Sequence, residues 1–289
     1  MENRKNNFLI LIILFLIALD LAVWILIFAG NRQLKNPEIN FLNIGQGDAS
    51  LVILPGPSGS IKMLIDGGQP NGLLEKNLEK ILPAGDRYID LVMNSHPQLD
   101  HFGGFINLFK EYKIGAVLTS QATSENISWK ELEKIIKEKN INRIILSAGD
   151  KIKYEDYQFD ILSPGLSDYA KDINDFSLVT ILRANGIKAF FGGDISGEKE
   201  KDLADRYDVD VDILKVSHHG SRFSSNLEFL KEASPLVSVI EVGKNTYGHP
   251  TKEALSRLAS ISPQIYRTDL NGLVKIIIDN GGLKIYNQQ

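Results

Sequence analysis

The order of strand-like and helix-like segments runs through the sequence twice, and this repeated order limits the folds open to the chain. Residues 39–66 hold three short apolar runs separated by Gly/Pro turns, which predict an antiparallel meander. Residues 72–146 then alternate helical periodicity with buried strands. The second half repeats the order, with strands over 157–194, alternating segments over 199–269 and a closing hairpin over 273–286.

Two mixed sheets that pack face to face, with helices on their outer surfaces, accommodate this order. The predicted fold class is therefore α/β (α+β), in a single domain over residues 37–289. A doubly wound parallel sheet is the alternative. It is disfavoured because the glycine-rich strands at the front of each half do not alternate with helices.

A long apolar run precedes this domain. Phe8–Ala29 reads FLILIILFLIALDLAVWILIFA, and its one charged residue is Asp20. Roughly 20 consecutive apolar residues span a bilayer as a helix. A cleaved signal peptide is the alternative, but its apolar core is about 7–15 residues long and is followed by small residues. We therefore predict an uncleaved single-pass anchor over about residues 8–29, within a segment 1–36 that ends in a polar linker.

The composition excludes several classes of site. The chain has no cysteine, which rules out disulfides, thiolate metal ligands and a cysteine nucleophile. Its formal net charge is −4, so nucleic acid is not held by a general positive surface. Any contact with phosphate has to be local.

The histidines lie beside strand ends or Gly/Pro turns. They are His96, His101, His218, His219 and His249. Loops at the strand ends of a rigid scaffold commonly carry functional side chains. One histidine in such a place is most often a surface or core residue, whereas several that converge indicate a site.

Aspartates occupy similar places and add candidate metal ligands. Asp66 ends LIDGG and Asp194 ends FFGGD, and a simple Asp-Gly turn is the alternative explanation for each. In one loop, His96, Asp100 and His101 offer neutral nitrogens and an anionic oxygen. Asp100 and His101 are adjacent at the start of a helix, so they can address two metal positions, and Asp194 could bridge them. Two metals about 3.5–4 Å apart suit attack on a phosphoryl centre.

Eight motifs follow one another in the order found in one enzyme superfamily. They are NIGQGDASLV (43–52), LIDGG (64–68), SHPQLDHFGG (95–104), NDFSLV (174–179), GGDIS (192–196), DILKVSHHGS (212–221), YGHPT (247–251) and YRTDLNG (266–272). On these motifs the chain resembles the metallo-β-lactamase superfamily. More narrowly, it resembles the extracellular metallo-hydrolase domain of ComEC-type DNA-internalisation competence proteins. The resemblance implies a four-layer αββα sandwich over residues 37–289.

The resemblance also implies a metal-ligand set. The family loop His-x-His-x-Asp-His places His96 on one metal, and Asp100 with His101 on the other. Asp194 matches the bridging aspartate. The last ligand follows a later strand, and His249 fits that place.

With His249 as a ligand, His218 and His219 resemble the residues that protonate the leaving group or contact the phosphate. The competing assignment makes His218 or His219 the ligand and gives His249 to the substrate. Asp100 or Asp194 would orient the attacking water and accept its proton.

The resemblance suggests places for other side chains around the metals. Candidates for gripping phosphate are Arg222, Lys244 and Thr251, the last beside a helix N-terminus; an ordinary surface charge is the alternative for Arg222 and Lys244. Asp66 and Asn174 are expected to orient the metal ligands without binding a metal themselves.

One position departs from the family loop. Gln98 stands where the second loop histidine is expected, and NDFSLV supplies no histidine either. The first metal would keep His96, Asp194 and either the Gln98 amide oxygen or Asp175. This oxygen-rich set favours manganese or magnesium over zinc. We expect one or two divalent ions, Mn or Zn with Mg as a further candidate, in a modified working site; a mononuclear enzyme is the first alternative and an inactive site the second.

The predicted function is a membrane-anchored, metal-dependent phosphodiesterase or DNase. Nucleic acid is its expected substrate, and the membrane is its partner through the N-terminal helix. The resemblance places the hydrolase domain on the extracellular side of the cell membrane. A metallo-hydrolase of another ester, of phosphocholine or lactam type, is one alternative. A non-catalytic binding module with a degenerate metal site is the other.

Overall fold

A computed structural model describes the backbone of residues 2–30, 34–166 and 172–288, and in the first helix it describes the side chains of residues 10–24. The strands are β1 (Glu38–Phe41), β2 (Ser50–Gly56), β3 (Gly59–Ile65), β4 (Tyr88–Asn94), β5 (Lys113–Thr119), β6 (Asn142–Ile145), β7 (Lys151–Tyr154), β8 (Tyr157–Ser163), β9 (Val179–Ala184), β10 (Ile187–Phe191), β11 (Ile213–Lys215), β12 (Val237–Ile240), β13 (Gln264–Arg267), β14 (Leu273–Asp279) and β15 (Gly282–Gln288). The helices are α1 (Glu2–Gly30), α2 (Leu73–Ile81), α3 (Leu99–Phe102), α4 (Phe105–Glu111), α5 (Ile127–Glu138), α6 (Gly197–Arg206), α7 (Leu227–Ala233), α8 (Lys252–Ala259) and α9 (Thr268–Asn271), with 3₁₀ turns at Ile173–Phe176 and Ser217–Gly220.

Two mixed sheets form the frame of the domain. The first has the strand order β15-β14-β1-β2-β3-β4-β5-β6, and the second has the order β13-β12-β11-β10-β9-β8-β7. Strands β3 to β6 run parallel in the first sheet, and β10 to β13 run parallel in the second. The C-terminal hairpin β14-β15 crosses back to the first sheet and pairs with β1.

The sheets face each other across a buried core, and helices cover both outer surfaces. Phe41 of the first sheet and Phe191 of the second stack with ring centroids 6.2 Å apart. Helices α2, α4 and α5 pack on the first sheet through residues such as Phe109. Helices α6, α7 and α8 pack on the second through residues such as Leu203 and Phe229. The predicted arrangement of two mixed sheets between helical layers is confirmed.

Helix α5 illustrates why these segments form outer helices. Its buried residues Trp129, Leu132, Ile135 and Ile136 recur at spacings of one, three and four, so they share one face. Asn126 caps the N-terminus because its side chain accepts the backbone N–H of Ser128. The sequence predicts this helix correctly because its apolar residues share one face and a capping residue precedes it.

Two details of the fold were not anticipated from the sequence. Strand β7 is a short edge strand that pairs with β8, and its four residues carry too little alternation to stand out. The first of the three apolar runs, INFLNI over residues 39–44, forms a strand only as far as Phe41. Beyond it the chain forms a loop in which the Leu42 N–H donates to the Ala49 carbonyl.

The apolar run predicted to anchor the chain lies in α1. The side chains described in this helix, residues 10–24, are exposed, with Phe15 at 67%. Over the described residues, no helix combines the length and apolar character that a membrane crossing requires. Both ends of the predicted anchor, at residues 8–9 and 25–29, lie outside the side chains that are described. The anchor therefore stays a prediction.

The candidate site residues follow the carboxyl ends of parallel strands. Asp66 follows β3, His96 follows β4 and Asp194 follows β10, while His219 and His249 follow β11 and β12. These ends meet at one edge of the sandwich. Residues that are far apart in sequence are brought together there on a rigid frame.

On the outside of the second sheet, Glu200 connects α6 to the loop that precedes α7. Glu200 is 1% exposed, and its Oε2 accepts the Asn226 backbone N–H at 2.8 Å. Burial raises the pKa of Glu200 to about 7, and the hydrogen bond from Asn226 partly offsets this rise.

Replacing Glu200 with Gln should remove one source of pH-dependent stability. The pKa of about 7 in the folded chain exceeds the ordinary 4.5, so the stability from this carboxyl is fully present below about pH 4.5 and is lost as the pH rises through 7. Between pH 5 and 8 the native sequence should lose roughly 2–3 kcal/mol more unfolding free energy than Glu200→Gln. Urea denaturation at both pH values measures the difference, with the exposed Glu198→Gln on the same helix as control. Equal losses in the native chain and Glu200→Gln would contradict this account.

Candidate metal centre

A buried carboxylate faces three imidazoles at the centre of the site. Asp194 Oδ2 lies 3.3 Å from His101 Nε2, 3.4 Å from His219 Nε2 and 3.9 Å from His218 Nε2. Asp194, His101 and His219 are each 2% exposed or less. Side chains from both sheets therefore meet at a largely buried centre.

Asp66 orients His101 from behind. Its Oδ2 lies 2.9 Å from His101 Nδ1, which leaves Nε2 of that ring directed at Asp194. The backbone N–H and the hydroxyl of Ser95 each donate to Asp66 at 2.7 Å. Asp66 thus lies on the far side of His101, where the sequence analysis expected a supporting residue.

His96 completes a second group around Asp194. Its ring centroid lies 4.2 Å from that of His101, and its Nδ1 contacts the hydroxyls of Ser95 at 3.0 Å and Ser177 at 3.3 Å. His96, His101 and Asp194 each offer a ligand atom within 4.8 Å of the others. Burial and the neighbouring His101 lower the pKa of His96 to about 3, so this ring is neutral and ready to bind a metal.

The histidine pair sits in an uncommon backbone conformation. His218 and His219 both have φ of +53°, and Gly220 follows at +76°. Two left-handed residues in succession turn the rings apart, with centroids 6.3 Å apart and planes at 78°. His219 points into the buried centre, while the His218 side chain stays 28% exposed. Such a conformation costs about 1–3 kcal/mol for each non-glycine residue, so the fold retains a strained turn at this site.

His219 shares the position of Asp100 and His101. One ligand atom from each lies within 4.8 Å of the others, and His219 Nε2 is 3.6 Å from Asp100 Oδ2. His249 lies further out, with its ring 5.5 Å from that of His218, and it joins no such group among the described residues. The geometry therefore favours the competing assignment, in which the histidine pair supplies the last ligand.

Unpaired buried atoms converge at this centre. The Nε2 atoms of His96, His101 and His219 and the Oδ1 atom of Asp194 make no hydrogen bond with any described residue. Buried polar atoms are almost always satisfied. Imidazole nitrogens and carboxylate oxygens around one volume are a suitable donor set for zinc or manganese. The residues therefore fit one or two divalent ions.

An amide pair occupies the place of the missing histidines. Gln98 Nε2 donates to Oδ1 of Asn174. This bond uses the amino group of Gln98 and leaves its carbonyl oxygen, the atom expected to bind metal. Asp175, the other candidate, accepts the backbone N–H of Ser196 at 2.8 Å and its hydroxyl at 3.1 Å, at the start of α6.

Asp48 belongs to the site, a role that the motif NIGQGDASLV did not reveal. Its Oδ1 lies 3.0 Å from His219 Nδ1, and its Oδ2 pairs with the buried Lys215. The carbonyl of Glu241 lies 2.9 Å from the same nitrogen of His219. The signal in the sequence was a lysine inside the apolar strand DILKVS, because a buried lysine requires a buried partner.

Opposite charges keep each other ionised at this buried centre. Burial lowers the pKa of His101, but Asp194 and Asp66 outweigh burial and raise it well above its ordinary value. Asp194 and Asp48 likewise overcome burial and raise the pKa of His219 to about 10. In return, His219 and His101 overcome burial and hold the pKa of Asp194 well below its ordinary range. Without metal both imidazoles are protonated at pH 7, so a metal has to displace these protons.

A cavity of about 280 Å³ opens over the centre. Its lining residues are Gln46, Gln69, Gln98, Leu99, Asp100, Asp194, His218, His219, Tyr247 and His249.

The side chains predicted to grip phosphate lie outside this cavity in the described chain. The Arg222 guanidinium stacks 4.9 Å over the Phe223 ring, and Lys244 is exposed. The Thr251 side chain caps α8 by accepting the Ala254 N–H.

Comparisons with known proteins agree with this fold. No protein-family model matches the chain. The chain is 30% identical over 268 residues to ComE operon protein 3 of Bacillus subtilis (strain 168), a match that covers 86% of the chain and 34% of that relative. It is 28% identical over 206 residues to competence protein ComA of Neisseria gonorrhoeae, over 70% of the chain and 27% of that relative. The solved structure of the metallo-beta-lactamase fold protein YhfI from Bacillus subtilis matches with a TM-score of 0.54 at 11% identity, over 83% of the chain and 100% of that protein.

The chain is a metallo-β-lactamase-fold protein related to competence proteins. The resemblance drawn from the eight motifs is therefore confirmed. The chain spans 34% of the first of these relatives and 27% of the second, so most of each relative's length lies outside the match. The candidate metal ligands therefore lie at the strand ends of a metallo-β-lactamase fold.

Replacing Asp48 with Asn should weaken both the fold and metal binding. The change removes the carboxylate that forms the ion pair with the buried Lys215, which costs about 3–5 kcal/mol of unfolding free energy. It also removes the carboxylate behind His219, and such supporting groups contribute about 10–100-fold to metal affinity. Denaturant unfolding of the metal-free chain and calorimetric titration with Mn²⁺ measure the two effects.

The double variant Asp48→Asn/Lys215→Met is the matched control. It should regain most of the lost stability because no buried charge is left unpaired, while its metal affinity stays reduced. A double variant as unstable as the single one would show that the ion pair with Lys215 is not the cause.

Proposed function

We propose that the chain is a metal-dependent hydrolase of phosphodiesters that acts on nucleic acid. The observation that carries this proposal is the set of unpaired atoms on His96, His101, His219 and Asp194 beneath an open cavity. In a metallo-β-lactamase fold, such a donor set at the strand ends corresponds to a metal site. The additional imidazoles on the open side of this set suit proton transfer to a substrate.

A divalent metal held there supplies Lewis acidity, which lowers the pKa of water and offsets charge on phosphoryl oxygens. Burial works against the charge of Asp100, but His219 and His101 hold its pKa below the ordinary value. Asp100 is thus an ionised carboxylate in the cavity wall, where it would serve as a ligand and orient the attacking water.

The histidines on the cavity side have separate tasks. His218, 3.9 Å from Asp194 and partly exposed, donates a proton to the leaving oxygen. Burial, followed by the nearby His218 and His219, lowers the pKa of His249. His249 is therefore neutral at pH 7 and hydrogen-bonds to the substrate.

The two metal positions are of unequal strength. Asp100, His101 and His219 form one group of donors, and Asp194 Oδ2 lies 3.3 and 3.4 Å from the two rings, so this position has the fuller set. The other keeps His96, Asp194 and the carbonyl oxygen of Gln98, a poorer and more oxygen-rich set that favours Mn²⁺ or Mg²⁺ over Zn²⁺. One ion in the first position is the simplest alternative.

Nucleic acid as the substrate is supported by the relatives, one of which is named a competence protein. The amide pair of Gln98 and Asn174 supports a second candidate, a binding module whose metal site has degenerated. A metallo-hydrolase of phosphocholine or lactam type is the third.

The test compares metal content and cleavage on one sample. Full-length protein in detergent, stripped by a chelator and reloaded with Mn²⁺ or Zn²⁺, should hold one to two ions per chain and cleave DNA. His219→Ala should lose metal and cleavage together, because it removes a ligand. His249→Ala should keep the metal and lose cleavage about 100-fold, because it removes a contact to the substrate. Elemental analysis and a panel of DNA, RNA, phosphocholine and lactam substrates provide the measurements.

Each other outcome assigns a different function or ligand. Metal lost from His249→Ala but retained by His219→Ala would restore His249 as the ligand. A native chain that binds no metal would be a binding module. Metal together with cleavage of phosphocholine or lactam substrates alone would exclude nucleic acid.

We also propose that α1 anchors the chain in the cell membrane, with the hydrolase domain on the outer side. The described side chains from residues 10–24 are exposed on all sides of the helix, and Asp20 is the one charged residue among them. A helix that is apolar all round requires an apolar surrounding, which lipid provides. The orientation rests on the relation to ComEC-type proteins.

Removal of residues 1–36 should release the protein from membranes. Sedimentation of membranes washed at alkaline pH compares the full chain with the shortened one. Protease added to intact cells should degrade the domain if it lies outside. Full-length protein in the supernatant would contradict the anchor, and protection from protease would reverse its orientation.

A further inference from the structure

We propose that Gln46 and Tyr247 form a subsite for an unpaired nucleobase beside the metal centre, so that the chain acts on single strands. The inference rests on the proposed function and names its substrate class. It concerns the two loops that close one side of the cavity, the front loop (residues 43–49) and the rim loop (residues 243–250).

The two loops touch and position each other. Gly243 of the rim loop packs so tightly on Gly45 that a Cβ there would lie 2.3 Å from the Gly45 carbonyl carbon. The Gly243 N–H also donates to Oε1 of Gln46 at 3.4 Å. The side chain of Gln46 is therefore held by the neighbouring loop.

Gln46 offers an unused donor to the cavity. It is 9% exposed, it lines the cavity, and its Nε2 makes no hydrogen bond within the part of the chain that the structure describes. A buried donor without a partner is unfavourable. An acceptor oxygen of a bound nucleotide would satisfy it.

Tyr247 offers an aromatic face at the mouth of the same cavity. It is 73% exposed, and its ring lies 5.9 Å from His249 at an angle of 30°. Asn245 braces the loop beneath it: Nδ2 donates to the carbonyls of Gly243 and His249, both at 2.8 Å, and Oδ1 accepts the His249 N–H at 3.0 Å. An exposed ring on a braced loop suits stacking on a base.

An unpaired base matches these groups better than a paired one. A base inside a duplex is stacked on both sides, so it presents no free face to Tyr247. The ligands below, such as Asp194, are 2% exposed, so a strand has to enter the cavity to bring a phosphodiester to them. With a net charge of −4, attraction to the phosphate backbone alone is weak, and stacking has to supply much of the affinity.

Binding of strands that are not cleaved distinguishes the affinity contributed by the base from that contributed by the backbone. The full chain in detergent, stripped of metal so that it cannot cleave, would be titrated by fluorescence anisotropy with thymidine and uridine strands, an abasic strand of equal length and a duplex. The native chain should bind the thymidine or uridine strand about tenfold more tightly than the abasic strand or the duplex. The comparison of thymidine with uridine assigns DNA or RNA.

Variants of the two subsite residues test each contact. Tyr247→Ala should abolish the preference for bases, whereas Tyr247→Phe should keep it because the phenyl ring still stacks. Gln46→Ala should weaken binding of strands that carry bases. Tyr286→Ala, which removes a 52% exposed tyrosine on β15, is the matched control and should bind like the native chain.

Several results would overturn the subsite. Equal affinity of the native chain for intact and abasic strands would do so. An equal loss for both strands in Tyr247→Ala would make the ring a support for His249 instead. Cleavage of ordinary strands without regard to bases would keep the proposed hydrolase and remove the subsite. A preference for bases without metal-dependent cleavage would keep the subsite and remove the hydrolase.

Discussion

The Asp194 carboxylate between the imidazoles of His101 and His219 is the interaction on which the site depends. His101 follows a strand of the first sheet, whereas Asp194 and His219 follow strands of the second, so the contact exists only when the two sheets pack. The protons on the two imidazoles carry the same total charge as one divalent ion. Exchange of these protons for one metal ion therefore leaves the balance with the surrounding carboxylates unchanged. This equivalence explains how one arrangement of buried charges can be satisfied both before and after metal binding.

The sequence was sufficient to predict the layers and the place of the site. Periodicity separated strands from helices, and the histidines and aspartates at strand ends indicated one edge of the sandwich. The sequence could not predict which histidine completes the second position. That choice depends on the left-handed turn at His218 and His219, which directs one ring inward and the other toward the cavity. Glycine is the usual sequence signal for a left-handed turn, and neither residue is a glycine, so the sequence does not predict this turn.

Long-range contacts account for the other differences. Asp48 lies in the loop that precedes β2 of the first sheet, and Lys215 ends β11 of the second, so their pairing follows from the packed sandwich. Gly47 permits the approach of this loop, since a Cβ there would lie 2.2 Å from the carbonyl oxygen of Asp100. The same close contact places the front loop against the metal-binding loop. Local pattern predicts a turn at GQGD, and only tertiary packing makes it part of the site.

The Gln98–Asn174 pair gives the site its asymmetry. The hydrogen bond from Gln98 Nε2 occupies the carbonyl oxygen of Asn174 and leaves the Gln98 carbonyl oxygen for a metal. The position built by His101 and His219 instead carries two protons that one ion can replace at no change in charge. The first ion therefore binds where the protons it replaces keep the local charge unchanged, whereas a second ion would add charge beside His96, which is neutral already. The amide pair thus makes the second position a weak one by electrostatics as well as by its ligands.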